Sequence, residues 1–135
     1  VGGLRFRLQS GAPVDVLGVG EDGASTVYVL PPGSGGRLPT VTALDLHAGY
    51  RRALTDRSAI EVYLDVFNLL DQQAVTGIDD QYTWDRVQPV ANGSYQDLQD
   101  LKTVAGAPAR RSVTYGMPTA WQAPLSLRLG LRASF

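Results

Sequence analysis

The chain has 135 residues, 44% of them hydrophobic, and its 12 Lys+Arg against 13 Asp+Glu leave a formal net charge of −1. That balance carries no electrostatic footprint for a nucleic-acid partner, and the absence of Cys removes disulfide scaffolds, thiolate metal sites and cysteine nucleophiles together. No apolar run reaches the roughly 18 residues of a membrane helix, a test that cannot see barrel strands because only their alternate residues are apolar.

Leu4, Phe6 and Leu8 alternate with Arg5, Arg7 and Gln9, which predicts a first strand from about Gly3 to Ser10. The alternation is under way in the opening VGGLRF, which has no initiator Met or signal peptide, so the chain reads as a fragment with sequence missing upstream. From Gly11 to Pro39 the density of Gly and Pro allows only a short extension, Ser25 to Leu30, inside a long loop. After Pro39, Thr42, Leu44, Leu46, Ala48 and Tyr50 alternate with Ala43, Asp45, His47, Gly49 and Arg51 as a second strand. A polar turn, Thr55 to Ser58, leads to a third, where Ile60, Val62, Leu64 and Val66 alternate with Glu61, Tyr63, Asp65 and Phe67. Asp71 to Gln122 has no sustained periodicity and reads as a second long loop, with one or two helical turns around Gln96 to Thr103.

The chain ends on APLSLRLGLRASF, where Leu125, Leu127, Leu129, Leu131, Ala133 and Phe135 alternate with Ser126, Arg128, Gly130, Arg132 and Ser134. That spacing excludes a helix. Strands of soluble proteins usually run about 5 or 6 residues. One of about 11, rising about 3.3 Å per residue and tilted near 45°, matches the ~25 Å apolar band of an outer-membrane barrel. A structureless loop of about 50 residues is foreign to a compact soluble domain but ordinary on one side of such a barrel. The fold class is therefore all-β: an antiparallel meander of about four long strands from a transmembrane β-barrel, with two long extracellular loops, residues 1–135 forming one C-terminal part.

The stretches LPTVTALDLHAGYRR, IEVYLDVFNLLD and PLSLRLGLRASF resemble the last three barrel strands of a TonB-dependent outer-membrane receptor. Asn68, Leu69, Leu70 and Asp71 resemble the family's Asn-Leu-Phe-Asp/Asn exit from the penultimate strand, with Leu70 in place of the usual aromatic. Leu129, Leu131, Ala133 and Phe135 occupy the apolar positions of the C-terminal signal read by the barrel-assembly machinery. The resemblance implies a plugged barrel of about 22 strands in the outer membrane of a Gram-negative bacterium, in contact with lipid. It would import a siderophore, cobalamin, saccharide or peptide and would be coupled to TonB through an N-terminal part that this chain lacks. The alternative from the residues themselves is a secreted all-β module whose long loops bind a sugar or peptide, and detergent-free expression as a monodisperse soluble product separates the two.

His47, the only histidine, falls on the polar face near Asp45 and Arg51 and reads as a hydrogen-bonded lumen residue rather than a metal ligand. Asp79, Asp80 and Asp85 lack the order of a calcium loop and read as a solvated acidic loop. Tyr82, Trp84 and Trp121 suit either ligand contact or an aromatic girdle. Tyr82, Trp84 and Asp85 are the candidate ligand contacts, and Trp121, just before the last strand, is assigned to the girdle. Asn92-Gly93-Ser94 is read as a chance sequon. No GxSxG elbow, paired-carboxylate motif or Gly-rich strand-to-helix loop occurs, so no enzyme activity, cofactor or metal is expected.

Keeping charges off the apolar face constrains the strand register. Opposed residue numbers in strands two and three should sum to an even number such as 112 or 114; a sum of 112 pairs Arg51 with Glu61, Gly49 with Tyr63 and His47 with Asp65 around a loop of Thr55, Asp56 and Arg57. In strands three and four the sum should be 193, pairing Glu61 with Arg132, Tyr63 with Gly130 and Asp65 with Arg128.

Overall fold

A computed structural model describes residues 1–135. In chain order the elements are β1 (Gly2–Gln9), β2 (Leu17–Val19), β3 (Thr26–Tyr28), β4 (Val41–Thr55), β5 (Ser58–Phe67), β6 (Val75–Ile78), β7 (Gln81–Arg86), a 3-10 helix (Tyr95–Asp100), β8 (Pro118–Trp121) and β9 (Ser126–Ser134). They fall into two compact units, one of residues 1–9, 40–74 and 122–135, the other of residues 10–39 and 75–121.

The first unit is an open four-stranded antiparallel sheet in the order β1-β4-β5-β9. Its register is the one that sets opposite charges across from each other. Leu46↔Val66 through Ala53↔Ala59 sum to 112 in β4 and β5, and Ala59↔Ser134 through Phe67↔Ser126 sum to 193 in β5 and β9. Apolar residues thus meet apolar residues across each seam, as a period of two demands. β1 continues the pattern, with Leu4 opposite Leu46 and Phe6 opposite Leu44.

Two details depart from the sequence reading. β4 runs 15 residues, past Arg51, because its pairing continues to the turn. The expected three-residue loop is instead the two residues Asp56 and Arg57 between a paired Thr55 and Ser58, with the register shift at Leu54. The Thr55 hydroxyl oxygen accepts the backbone N–H groups of Arg57 (3.3 Å) and Ser58 (3.1 Å), so a side chain satisfies donors that the tight turn would strand.

The second unit corrects the picture of two separate structureless loops. Segments 10–39 and 75–121 share one sheet, β3-β2-β7, in which β2 pairs antiparallel with β3 and parallel with β7. They also share one core of Val16, Val29, Leu30, Tyr82, Val87, Leu98, Leu101 and Tyr115. A ribbon of β6 and β8 completes the unit. The stretch read as aperiodic therefore holds three strands of four to six residues. Such short strands, with register shifts in the β2–β7 and β6–β8 pairings, never show the two or three full alternations by which a strand is recognised. The helical turn expected near Gln96 is the 3-10 helix, and Leu98 and Leu101 bury its apolar side.

Candidate functional site

The first unit's sheet presents two chemically opposite faces. On one, rows of apolar side chains cross the strands: Leu4, Leu46, Val66 and Leu127 in one row, Ala48, Leu64 and Leu129 in the next, then Tyr50, Val62 and Leu131. Alternation puts these side chains on one face, most of them bare: Leu129 is 75% exposed, Leu131 70% and Leu4 68%, whereas Val66 is buried. Contiguous apolar surface of this kind is rare on soluble monomers and marks a contact with protein or lipid. Ala133 stands opposite Ile60 on the same face, and Phe135, beyond the end of β9, is fully exposed.

The opposite face carries a charge lattice. Asp65, buried at the centre, faces His47 Nδ1 with Oδ1 at 2.5 Å, while its Oδ2 accepts Nε and Nη2 of Arg128 at 2.9 and 2.7 Å. Charge-assisted hydrogen bonds of this kind are among the stronger ones. One pair along, Glu61 closes on Arg132 at 3.5 Å; Arg51 stands opposite Glu61 in the register but forms no ion pair with it. Between these rows Tyr63 lies opposite Gly49 and Gly130. Its ring leans over Gly130, where a Cβ would lie 2.1 Å from Tyr63 Cζ, whereas at Gly49 a Cβ would have no neighbour nearer than 3.6 Å.

Where β5 ends, Asn68 and Asp71 both take left-handed backbone angles, φ 51° and 47°, a conformation that short polar side chains adopt more readily than others. The Asn68 side chain donates to the carbonyls of Gln72 and Ala123, each at 2.8 Å, and its backbone N–H donates to Asp45 Oδ1 at 2.9 Å. Asp71 Oδ1 accepts the N–H of Leu125 at 2.9 Å, and the side-chain amide of Gln122 donates to the Thr42 carbonyl at 2.7 Å. The Asn-Leu-Leu-Asp turn is thus a polar knot that ties the exit of β5 to the entry of β9 and to β4.

In the second unit the three candidate contacts separate. Tyr82 is a core residue, 9% exposed, with its ring edge-on to Tyr115 at 5.1 Å and its hydroxyl donating to the Leu98 carbonyl. Burial pushes the hydroxyl pKa of both tyrosines up. Trp84 projects outward, 69% exposed. The Asp85 carboxylate is occupied within the unit, accepting the Arg110 backbone N–H at 2.7 Å with the Arg110 guanidinium 3.7 Å away. Asp79 is likewise engaged: hydrogen bonds from the Thr114 side chain and the Gln81 N–H hold its carboxyl below the usual range. Trp121 is exposed at the end of β8, paired with Val75.

No family model and no solved structure matches the chain. Over 98% of its length, across 150 aligned residues, it is 30% identical to the TonB-dependent transporter Oar of Myxococcus xanthus. At the level of the family, the chain is like a segment of a TonB-dependent receptor. It spans 14% of the length of Oar. The similarity covers both units, including the second, where the resemblance read from the sequence is weak.

Sequence reasoning missed the parallel pairing of β2 with β7, whose residues lie more than sixty positions apart and whose strands are too short to announce themselves. It also missed Gln122. A glutamine between Trp121 and a proline-containing strand entry signals nothing by composition, yet it is buried and spans to β4.

Proposed function

We propose that this chain supplies the last strands of the barrel of a TonB-dependent outer-membrane receptor, with β1, β4, β5 and β9 crossing the membrane and the second unit outside the cell. The carrying observation is the exposed apolar face whose rows are in register across four strands. A secreted binding module would leave Leu127, Leu129 and Leu131 in water, at a cost of roughly 1.5–3 kcal/mol per large side chain relative to burial; lipid removes that cost. β9, with 9 residues, has the length of a tilted membrane-crossing strand. An open sheet edge in lipid leaves backbone groups unpaired, so β1 and β9 require further strands of the same barrel.

On this reading Leu129, Leu131, Ala133 and Phe135 are the positions that the barrel-assembly machinery reads, TonB engages a part of the receptor outside this segment, and the imported ligand is a siderophore, cobalamin, saccharide or peptide. Likeness to Oar, named as a TonB-dependent transporter, supports transport as the activity.

This chain has no Cys, so a single thiol introduced here into a full-length receptor whose cysteines elsewhere, if any, are replaced by serine gives a topology test. Val113→Cys, in an exposed segment of the second unit, should react with a membrane-impermeant maleimide on intact cells. Arg57→Cys, in the two-residue turn, should react only after the outer membrane is permeabilised. Labelling in the opposite order would overturn the proposal.

A further inference from the structure

The small sheet β3-β2-β7 has one face packed on the core, through Val87 and Thr83, and another that is free. Across that free face Thr26 stands opposite Val19, and Val19 opposite Arg86. Trp84 projects beside them, and with Ser25 and Gln81 these residues line an open groove of about 590 Å³, within the range of small-ligand sites.

Its chemistry is selective. Arg86 is the one charged residue in the lining and forms no ion pair, because the acid beside it in sequence, Asp85, is turned to Arg110. The nearby Asp22 carboxylate forms no ion pair with Arg86 either; its Oδ1 accepts the N–H groups of Ala24 and Ser25 and the Ser25 hydroxyl. An unpaired guanidinium selects a carboxylate or another oxyanion and can bind it through two parallel hydrogen bonds. The exposed indole offers a flat apolar platform with a polar N–H at its rim, suited to the C–H face of a pyranose ring. Thr26 supplies a hydroxyl for ring hydroxyls, while Ser25 and Gln81, whose hydroxyl and amide N–H are given to Asp22 and to the Thr83 carbonyl, keep their side-chain oxygens as acceptors. The groove is lined by the side chains of Trp84, Arg86, Thr26, Ser25 and Gln81, a flat apolar platform beside a cation and small polar groups, which complements a sugar ring bearing a carboxylate.

We propose that this face is a binding site for a uronic-acid-containing saccharide, with Trp84 stacking on a sugar ring and Arg86 holding its carboxylate. The inference deepens the transport reading by naming a ligand class, and it rests on that reading only for its link to import; the binding itself does not require it. The test uses the full-length receptor in detergent and titrates tetragalacturonate, its methyl-esterified form and tetraglutamate by calorimetry. Saturable binding of tetragalacturonate is expected, with at least tenfold weaker binding of the ester. Trp84→Ala and Arg86→Gln, both at exposed positions outside the core, should each weaken tetragalacturonate binding about tenfold or more while leaving the heat-modifiable barrel intact. No saturable binding, equal binding by the variants, or preference for tetraglutamate would overturn the proposal. The thiol-topology result above is independent of all three outcomes, so failure of the site and failure of the barrel reading are told apart.

Discussion

The two units place their apolar residues in opposite senses. In the second, residues flanking the ends of the short strands close on one another, so that Val16 before β2, Val29 and Leu30 after β3 and Val87 after β7 are almost wholly buried. In the first, the apolar sides of long strands point away from the charge lattice and remain bare, Leu129 and Leu131 among them. The polar residues are inverted as well: Asp65 is buried under hydrogen bonds in the first unit, whereas the carboxylates of the second are spent on turns and caps near its surface. The same residue types thus give an inward core in one unit and an outward apolar face in the other.

The contrast can be broken most strongly at Leu30, in the second unit's core. Leu30→Ala should cost roughly 2–5 kcal/mol of local stability through the cavity it leaves, read as faster amide exchange in segments 10–39 and 75–121 with the strands of the first unit unchanged. Equal loosening of both units would show that they do not hold separate cores. At the middle of the bare face, Leu129→Arg should lower the stability of the folded receptor in lipid by roughly 2–4 kcal/mol, measured by denaturant titration in vesicles. In water an arginine at a position so exposed would be nearly neutral, so a null effect contradicts a lipid-facing role.

The register sharpens the comparison through two glycines that look equivalent in sequence. Gly130→Ala forces the Tyr63 ring aside and should cost about 1 kcal/mol, the scale of an off-rotamer side chain, whereas Gly49→Ala, where a Cβ has room, should be neutral or slightly stabilising. Paired denaturation midpoints of the two variants check this difference.

The smallest effect is a pH response confined to the second unit. Hydrogen bonds from the backbone N–H groups of Ser25 and Ala24, and from the Ser25 hydroxyl, lower the Asp22 pKa to about 2 from an ordinary 3.8. A depressed folded-state pKa means that its contribution is whole above the unfolded value and is lost as pH falls through the folded one. The turn between β2 and β3 should therefore loosen between about pH 4 and pH 2, seen as increased amide exchange at Ala24 and Ser25. Asp22→Asn should abolish that pH dependence while leaving the rest of the unit's exchange profile in place.

How much of this was legible in sequence divides along the same line. The four long strands carry enough alternations to fix their faces, and among the registers that parity allows, pairing opposite charges picks out the observed one, with Tyr63 opposite both Gly49 and Gly130. The second unit was illegible because its strands are short, its β2–β7 partners are far apart in sequence and parallel, and Tyr82, amphipathic by type, sits in the core rather than outside. Of the candidate contacts, Trp84 alone could be read as an exposed aromatic, and the unpaired Arg86 beside it became visible only when Asp85 was found committed to Arg110.

The central claim, that the bare face of the first unit meets lipid and the lattice face meets water, is tested most directly along β9. Nitroxide labels placed singly at 126, 127, 128, 129, 131, 132 and 133 of the full-length receptor in native outer membranes report accessibility to oxygen, which concentrates in lipid, and to a water-soluble nickel chelate. The account predicts a period of two, with oxygen favoured at 127, 129, 131 and 133 and nickel favoured at 126, 128 and 132. Uniform nickel access along the strand, or the same period with its phase reversed, would contradict it.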